Sequence, residues 1–421
     1  MTQTGVTMTV EEIPKGWRKE KIKEFAKVIT GNTPPTSALD SYNGSYLWVT
    51  PTDINEKKDI NNTNRKLTEK GINLARRLPP ETLLITCIAS IGKNAILKKE
   101  GSCNQQINAI LPSEKYNTDF LYYWFENNKK LMLLLAGQTA VPIINKNTFE
   151  NLSVVLPSLK EQKKISDILL TVEASIDTTS ETIQSCANLK RGLRQLLFTK
   201  GLPGKHKKFK KTELGEIPES WKIESLVNVS TILLCNVDKK SHSDEKSVKL
   251  CNYIDVYKNR YITNKLDFMK ATATDNEIVK FGIKIGDVLI TKDSETPNDI
   301  AVSSVVIEHI DNLVCGYHLA LIRPKSDKLD SLFLMNLFSN KLIKNTIARK
   351  ANGLTRFSLG QKTIQEIPIL VPPLDEQKKI AQILTDLDER VQSEKTKKQQ
   401  LIKLKLSLMQ KLLSGEIRVR V

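Results

Sequence analysis

The sequence holds little with which to do chemistry. Its six cysteines (Cys87, Cys103, Cys186, Cys235, Cys251, Cys315) never form a C-x-x-C pair, and its four histidines (His206, His242, His309, His318) are scattered. A metal centre would have to be gathered from distant segments; small buried thiols in a reducing compartment fit better. No Gly-x-x-x-x-Gly-Lys-Ser/Thr loop is present to cradle ATP phosphates. The nearest approach to the Asn/Asp-Pro-Pro-aromatic clamp of an amine methyltransferase is Asn32-Thr33-Pro34-Pro35-Thr36, which has an intervening threonine and no aromatic and reads as a turn. No uninterrupted apolar run is long enough to cross a bilayer, and the N-terminus lacks a signal-peptide core, so the expectation is a cytoplasmic protein with no membrane partner. Acid is also short. Lys and Arg number 64 against 47 Asp and Glu, a net charge of +17 that favours a polyanionic partner. These absences argue for binding, with any chemistry supplied by others.

What is present is a duplication. Leu159-Lys160-Glu161-Gln162-Lys163-Lys164-Ile165 returns as Leu374-Asp375-Glu376-Gln377-Lys378-Lys379-Ile380, 215 residues on. Each copy follows proline and opens a long helical pattern. The apolar seam of the first runs Ile165, Leu169, Val172, Ile176, Ile183, Leu193, Leu197; that of the second runs Ile380, Leu384, Leu387, Val391, Leu408, Leu412. Spacing of three and four residues makes a stripe that must meet another helix. Thr179, Lys190, Glu394, Lys398 and Lys405 interrupt it; Lys190 and Lys405 are equivalent sites, free either to pair with acids or to reach solvent along their stems. Each segment of about forty residues predicts a helix roughly 60 Å long.

A second marker, Ile13-Pro14-Lys15-Gly16-Trp17, returns as Ile217-Pro218-Glu219-Ser220-Trp221, so two units share one design with different filling. Strand-like runs recur: Thr82-Leu83-Leu84-Ile85-Thr86 with Asp287-Val288-Leu289-Ile290-Thr291, and Gln106 to Pro112 with His318 to Pro324. One amphipathic helix is predicted after each, over 118–134 and 329–348. Polar turns at Gly137-Gln138-Thr139 and Gly353-Leu354-Thr355 then lead to a short strand before the proline. Each unit therefore reads as a mixed α/β globule feeding a long helix. The Gly- and Lys-rich linker 201–211 reads either as a phosphate contact or as a solvated connection. Antiparallel pairing of the two helices is favoured because the second globule gives the chain room to return. Two heads held apart in this way could read a split target on duplex DNA.

Thr30-Gly31-Asn32-Thr33-Pro34 with Tyr42, Trp48-Val49-Thr50 and Asp53, the doubled Pro-x-Leu-x-Glu-Gln-x-x-Ile openings, and the run from Lys249 to Tyr257 together resemble the specificity subunit of Type I restriction-modification systems. The resemblance spans Ile13 to Glu416. It implies an α+β fold in which two mixed α/β target recognition domains are separated by two long antiparallel coiled-coil helices, with pseudo-twofold symmetry. The expected divisions are 1–156 (first recognition domain), 157–203 (first helix and linker start), 204–372 (second recognition domain) and 373–421 (second helix and tail). It implies a non-catalytic chain that binds double-stranded DNA and two methyltransferase subunits, with restriction subunits where the system has them. The complex methylates adenine. S-adenosylmethionine, ATP and Mg are then expected on partner subunits, and no cofactor or metal on this chain. The first unit departs from the pattern, carrying Ala140-Val141-Pro142 where the second has Arg356-Phe357-Ser358, which leaves no arginine at that place.

Base edges are read by Arg or Lys at guanine, Asn or Gln at adenine, and acids at cytosine. The candidate readers in the first unit are Asn32, Thr33, Thr36, Lys93, Asn94, Gln105, Gln106, Asn145 and Lys146. Those in the second are Lys239, Lys240, Lys258, Asn259, Arg260, Lys292, Ser294, Thr296, Tyr317, His318, Arg349 and Arg356. Gln105-Gln106 and Tyr317-His318 stand at equivalent strand starts. The rival readings are a stand-alone DNA-modifying enzyme and a two-headed structural adaptor; methyl transfer by the purified chain alone would select the first, and indifference to DNA sequence the second.

Overall fold

Thr82–Thr86 and Val288–Thr291 are buried at every position, which is what a strand covered on both faces requires. Because side chains alternate along a strand, Leu83 and Ile85 enter one core and Leu84 the other. Val288 and Ile290 are likewise separated from Leu289. In the computed structural model, residues 13–35, 37–55, 57–137 and 141–420 are described. The chain divides into two units, residues 1–179 with 396–421 and residues 180–395, so each unit takes part of each long helix.

In the first unit the doubly covered strand is the centre of a five-stranded sheet ordered Val28–Thr30, Ile107–Ile110, Thr82–Thr86, Asn94–Leu97, Asp59–Ile60. A three-stranded sheet, Arg65–Leu67, Tyr42–Val49, Gly101–Cys103, covers one face, and helices cover the other. The second unit repeats the order: Ser230–Leu234, Leu319–Pro324, Val288–Thr291, Ser303–Val306, Tyr261–Ile262, with Met269–Ala273, Lys246–Cys251, Leu313–Cys315 as its smaller sheet. A two-stranded ribbon closes each globule, Arg18–Lys21 with Ser153–Leu156 and Lys222–Ser225 with Pro368–Val371. The expected pair of mixed α/β globules, each with a long helix, is thus the fold observed.

The helix expected over 118–134 is two, Thr118–Asn127 and Lys129–Leu135, and that over 329–348 is also two, Ser331–Phe338 and Lys341–Lys350. Asparagine makes both breaks. Asn340 accepts a hydrogen bond from the Leu342 amide and restarts the helix as its N-cap, while Asn128 donates its side-chain amide to the Trp124 carbonyl. Gln138 and Thr139 of the first expected turn lie outside the described residues.

The long helices run over Leu159–Lys200 and Leu374–Ser414, each beginning at the duplicated motif. Their shared Glu-Gln pair explains why the motif is written twice. Gln162 accepts from the Asn117 amide and donates to the Pro157 carbonyl; Gln377 accepts from the Asp330 amide and donates to Lys328 and Pro372. Asn117 and Asp330 are the N-caps of the helices Thr118–Asn127 and Ser331–Phe338, so one buried amide joins each long helix to its globule. Replacing Gln377 with alanine leaves three buried backbone groups unpaired and should cost ~2–3 kcal/mol; a fall of under ~1 kcal/mol in urea unfolding of the full chain would show those bonds to be dispensable.

Within each unit the helix segments are antiparallel. In the second, Asp388 meets Lys190, and Glu376 meets the Leu202 amide and His206. In the first, Glu173 meets Lys405, and Glu161 meets Arg418. Of the seam positions, Ile165, Leu169 and Leu412 are buried in the first unit's core, and Leu197, Ile380 and Leu384 in the second's. Val172, Ile176, Leu193, Leu387, Val391 and Leu408 are half-buried. Lys190 and Lys405 have taken the acid-pairing option, and their partners Asp388 and Glu173 are themselves 215 residues apart.

Part of the linker is a clasp, held through Lys205, His206 and Lys210, while Lys207, Lys208 and Lys211 are exposed. Phe209–Thr212 pairs with Gly215–Pro218, and Lys210 donates to the Glu219 and Trp221 carbonyls at 2.9 and 2.6 Å. Glu376, fully buried, accepts from His206 at 2.8 Å and from the Trp221 indole at 3.3 Å, with Lys205 at 3.3 Å. Burial pushes the Glu376 carboxyl up, but the bonds from His206, the Leu202 amide and Lys205 outweigh it and hold it below its ordinary range.

Candidate nucleic-acid interface

In the first unit, the motif that opens at Thr30 is built to hold a loop. The amide of Gly31 donates to the Ile107 carbonyl, and a Cβ on Gly31 would lie 2.2 Å from the Cys103 oxygen, so only glycine fits. The Tyr42 hydroxyl donates to the Pro34 carbonyl at 2.7 Å and the Trp48 indole to the Asn32 carbonyl at 3.3 Å. Asp53 caps the next turn by accepting from the Thr50 amide and hydroxyl. In the second unit, Asp255 accepts from the Asn252 amide in the same way.

This scaffolding consumes one expected reader. The side-chain amide of Asn32 donates to the Leu74 carbonyl and accepts from the Arg76 amide, which spends it on the loop rather than on a base. Asn94 is buried, donating to Glu126 at 3.0 Å, and presents no edge to solvent. Thr36 lies outside the described residues. The remaining positions converge. Thr33 donates to the exposed Gln105 at 2.5 Å, Gln106 accepts from Asn104, and the Gln106 carbonyl accepts from the Cys87 amide. Ile88 bridges to Ile143, which brings the exposed Asn145 and Lys146 toward the same end of the sheet. Asn145 caps its helix through Thr148, and Lys146 pairs with Glu150 at 3.3 Å. Lys93 is exposed and forms no ion pair among the described residues.

In the second unit the equivalent end is built differently. Seven residues join the central strand to its neighbour in the first unit and eleven in the second. The longer connection adds a strand, Asp293–Ser294, paired with Phe357–Ser358, and a turn at Pro297–Asp299. His318 sits 2.8 Å from Asp293 through Nδ1, and its ring meets the edge of Tyr317 at 4.6 Å. The Lys292 ammonium lies 4.7 Å over the Tyr317 ring, which is 51% exposed. Ser294 is buried and serves the turn by accepting from the Thr296 amide; Thr296 itself is exposed. Lys239, Lys240, Lys258, Arg349 and Arg356 are exposed and none forms an ion pair among the described residues. Asn259 donates to the Asp255 carbonyl.

Arg260 is not free, despite its place beside Lys258. Its guanidinium pairs with Asp388 on the second long helix at 3.0 Å and donates to Asn336 at 2.8 Å. It therefore anchors the globule to its helix. Sequence reasoning passed over two aromatic platforms. Arg65 stacks on Tyr42 and Trp48 at 4.7 and 4.9 Å, and Tyr253 stacks on Tyr257, which donates to Asp299. The first was visible only as an aromatic cluster on one strand, and the second as Tyr253 and Tyr257 four residues apart on a helix.

The two surfaces thus share a backbone frame and differ in chemistry: at the strand starts one presents the Gln105 amide and the Thr33 hydroxyl, and the other the Tyr317–His318 pair with Lys292 over the Tyr317 ring. Among the described residues no three His, Cys, Asp or Glu side chains come together to hold a metal, and no helix is long and apolar enough to cross a membrane.

Comparison with known proteins agrees with this duplication. The family model of the Type I restriction modification DNA specificity domain matches the chain twice, over residues 14–186 and 218–403. The Type I restriction enzyme MjaVIII specificity subunit of Methanocaldococcus jannaschii is 26% identical over 97% of this chain and 94% of its own length. The putative MjaX specificity subunit of the same organism is 28% identical over 98% and 96%. Two solved structures share the fold. A chain from a structure describing complex assembly and conformational transition of the type I R-M system has a TM-score of 0.60 at 16% identity, covering 96% of this chain and 100% of its own. The S subunit from M. genitalium has a TM-score of 0.56 at 14% identity, covering 98% of each. With two copies of the domain over most of its length, the chain belongs to the family of Type I restriction-modification DNA specificity subunits.

Proposed function

We propose that this chain gives a Type I restriction-modification complex its target, each unit reading one half of a bipartite DNA sequence. The long helices set the unread spacer and dock two methyltransferase subunits. The chain does no chemistry itself; partner subunits supply S-adenosylmethionine-dependent methylation of adenine and, where a restriction subunit joins, ATP- and Mg-dependent cleavage. The observation that carries the reading is the pairing of one frame with two unlike surfaces. Gln105-Gln106 and Tyr317-His318 occupy the same connection between the small sheet and the large one, so the two half-targets should differ in sequence. Gln105, Thr33 and Asn145 suit adenine edges, while Lys239, Lys240, Arg349 and Arg356 suit guanine or phosphate.

The spacer assignment is tested by inserting seven residues after Thr179 and seven after Lys395, which keeps the seam in phase. The insertion lengthens the helix pair by about 10 Å, so methylation mapping in a host carrying the chain with its methyltransferase should show both half-sites unchanged and the spacer longer by about three base pairs, at ~3.4 Å each. An unchanged spacer would remove the ruler role.

A further inference from the structure

The second unit carries a basic cleft that base readout does not use. It has a volume of about 780 Å³ and lies between the first long helix and the helix Lys341–Lys350. Arg191 and Arg194 line it from one side, Lys341, Lys344 and Asn345 from the other, and Asn298 of the Pro297–Asp299 turn completes it. No acidic side chain lines it, and none of the four cations forms an ion pair among the described residues. Arg194 is the telling member. Among the described residues its buried Nε has no hydrogen-bond partner, and its Nη1 donates to the Ser339 carbonyl at 3.4 Å. A buried guanidinium donor left unpaired is costly. Behind it, Lys190, Arg194 and Arg260 crowd around Asp388, which pairs with Lys190 and Arg260. The cluster is therefore short of negative charge. The cleft is also continuous with the candidate interface: a smaller cleft lined by Lys258, Asn259 and Arg260 shares Ser339 and Lys344 with it.

We propose that this cleft holds backbone phosphates of the duplex beyond the second unit's half-target, with Arg191, Lys341 and Lys344 as the phosphate contacts and Arg194 aligned behind them. The assignment rests on the reading of the chain as a DNA-recognition subunit and adds to it a grip that carries no sequence preference. It also makes the two units unequal. In the second long helix the positions equivalent to Arg191 and Arg194 are Leu406, which is exposed, and Met409, which is buried, so the first unit has no matching cations there.

The test uses the full chain assembled with its methyltransferase subunits, comparing the parent with a variant carrying Arg191→Gln, Lys341→Gln and Lys344→Gln. Binding to a target duplex and to an unrelated duplex is measured across a salt series. Three lost phosphate contacts should lower the magnitude of the log–log salt slope by about 2 to 3 and weaken both duplexes alike, by about 10- to 100-fold near 0.1 M salt. Selectivity between duplexes should stay as in the parent, and unchanged thermal unfolding of the variant confirms that it folds. An unaltered slope with selective binding intact would overturn the phosphate site and leave the recognition role standing. So would a variant that loses discrimination at an unaltered slope. If inorganic phosphate stabilises the parent but not the variant while the DNA slope is unaltered, the cleft is a free-anion site and the DNA assignment fails. A parent that binds all duplexes without preference sinks the recognition reading itself.

Discussion

Exchanging residues 22–152 for the equivalent stretch of another family member should replace one half of the DNA target and leave the other half as it was. The cut points follow from the ribbon that closes the first globule. Lys21 pairs with Ser153 and Arg18 with Leu156, so joins just inside those strands keep the ribbon and the start of the long helix in native register. Everything that frames Gln105, Thr33 and Asn145 then travels together, including the Tyr42 and Trp48 supports of the Gly31 loop. Specific sites are bound ~10³-fold or more tighter than unrelated DNA, so loss of the original half-target should appear as complete loss of methylation at the parent's sites. A methylation map of the host in which both halves change, or neither, would refute the one-unit, one-half assignment.

Asp388→Ala should be the most damaging single change in the second unit. The carboxylate pairs with Lys190 and Arg260, and all three side chains are largely withdrawn from solvent. Removing it leaves two cations, with Arg194 close behind, facing one another without a counter-charge, a loss of about 3–5 kcal/mol. Lys190→Met should be nearly neutral, because Asp388 keeps Arg260. Glu173→Ala, at the equivalent place in the first unit, breaks only one pair, with Lys405, and a bond from Tyr123, so its cost should be about 1–2 kcal/mol. Stability should also depend on pH through Lys190. Burial first, and the charge of Arg260 second, lower its pKa to about 8 from an ordinary 10.5. The folded chain therefore sheds that proton before the unfolded chain does, so the parent should gain stability relative to Lys190→Met as pH rises from about 8 toward 10.5. Urea unfolding at pH 7 and pH 10 checks both points; equal losses from Asp388→Ala and Glu173→Ala would remove the proposed asymmetry.

Where the sequence was readable, a short-range physical rule was at work. The doubled Glu-Gln-Lys-Lys-Ile announced the long helices at Leu159 and Leu374, and the apolar Leu83-Leu84-Ile85 and Val288-Leu289-Ile290 announced strands, though not that both of their faces would be covered. The breaks at Asn128 and Asn340 were hidden because the apolar period carries across them. Candidate readers failed for a different reason. Asn32 and Arg260 have the right chemistry in loops of the right kind, yet each is committed to a partner far along the chain, Leu74 and Arg76 for one and Asp388 for the other. Only tertiary pairing distinguishes them from Gln105 or Lys258. The linker misled in the same way, since Lys205 and His206 answer to Glu376 and Lys210 to carbonyls beyond the hairpin.

The two buried glutamates that follow the prolines finish the same corner by different means. At Glu376 the arriving segment is continuous backbone: Gly201 ends the helix with φ of +71°, and Leu202 and His206 turn back onto the carboxylate. At Glu161 the corner is sealed across a gap, with Gly415 ending its helix at φ of +78° and Arg418 clamping the carboxylate while donating to the Lys15 carbonyl. A covalent join in one place is a side-chain weld in the other.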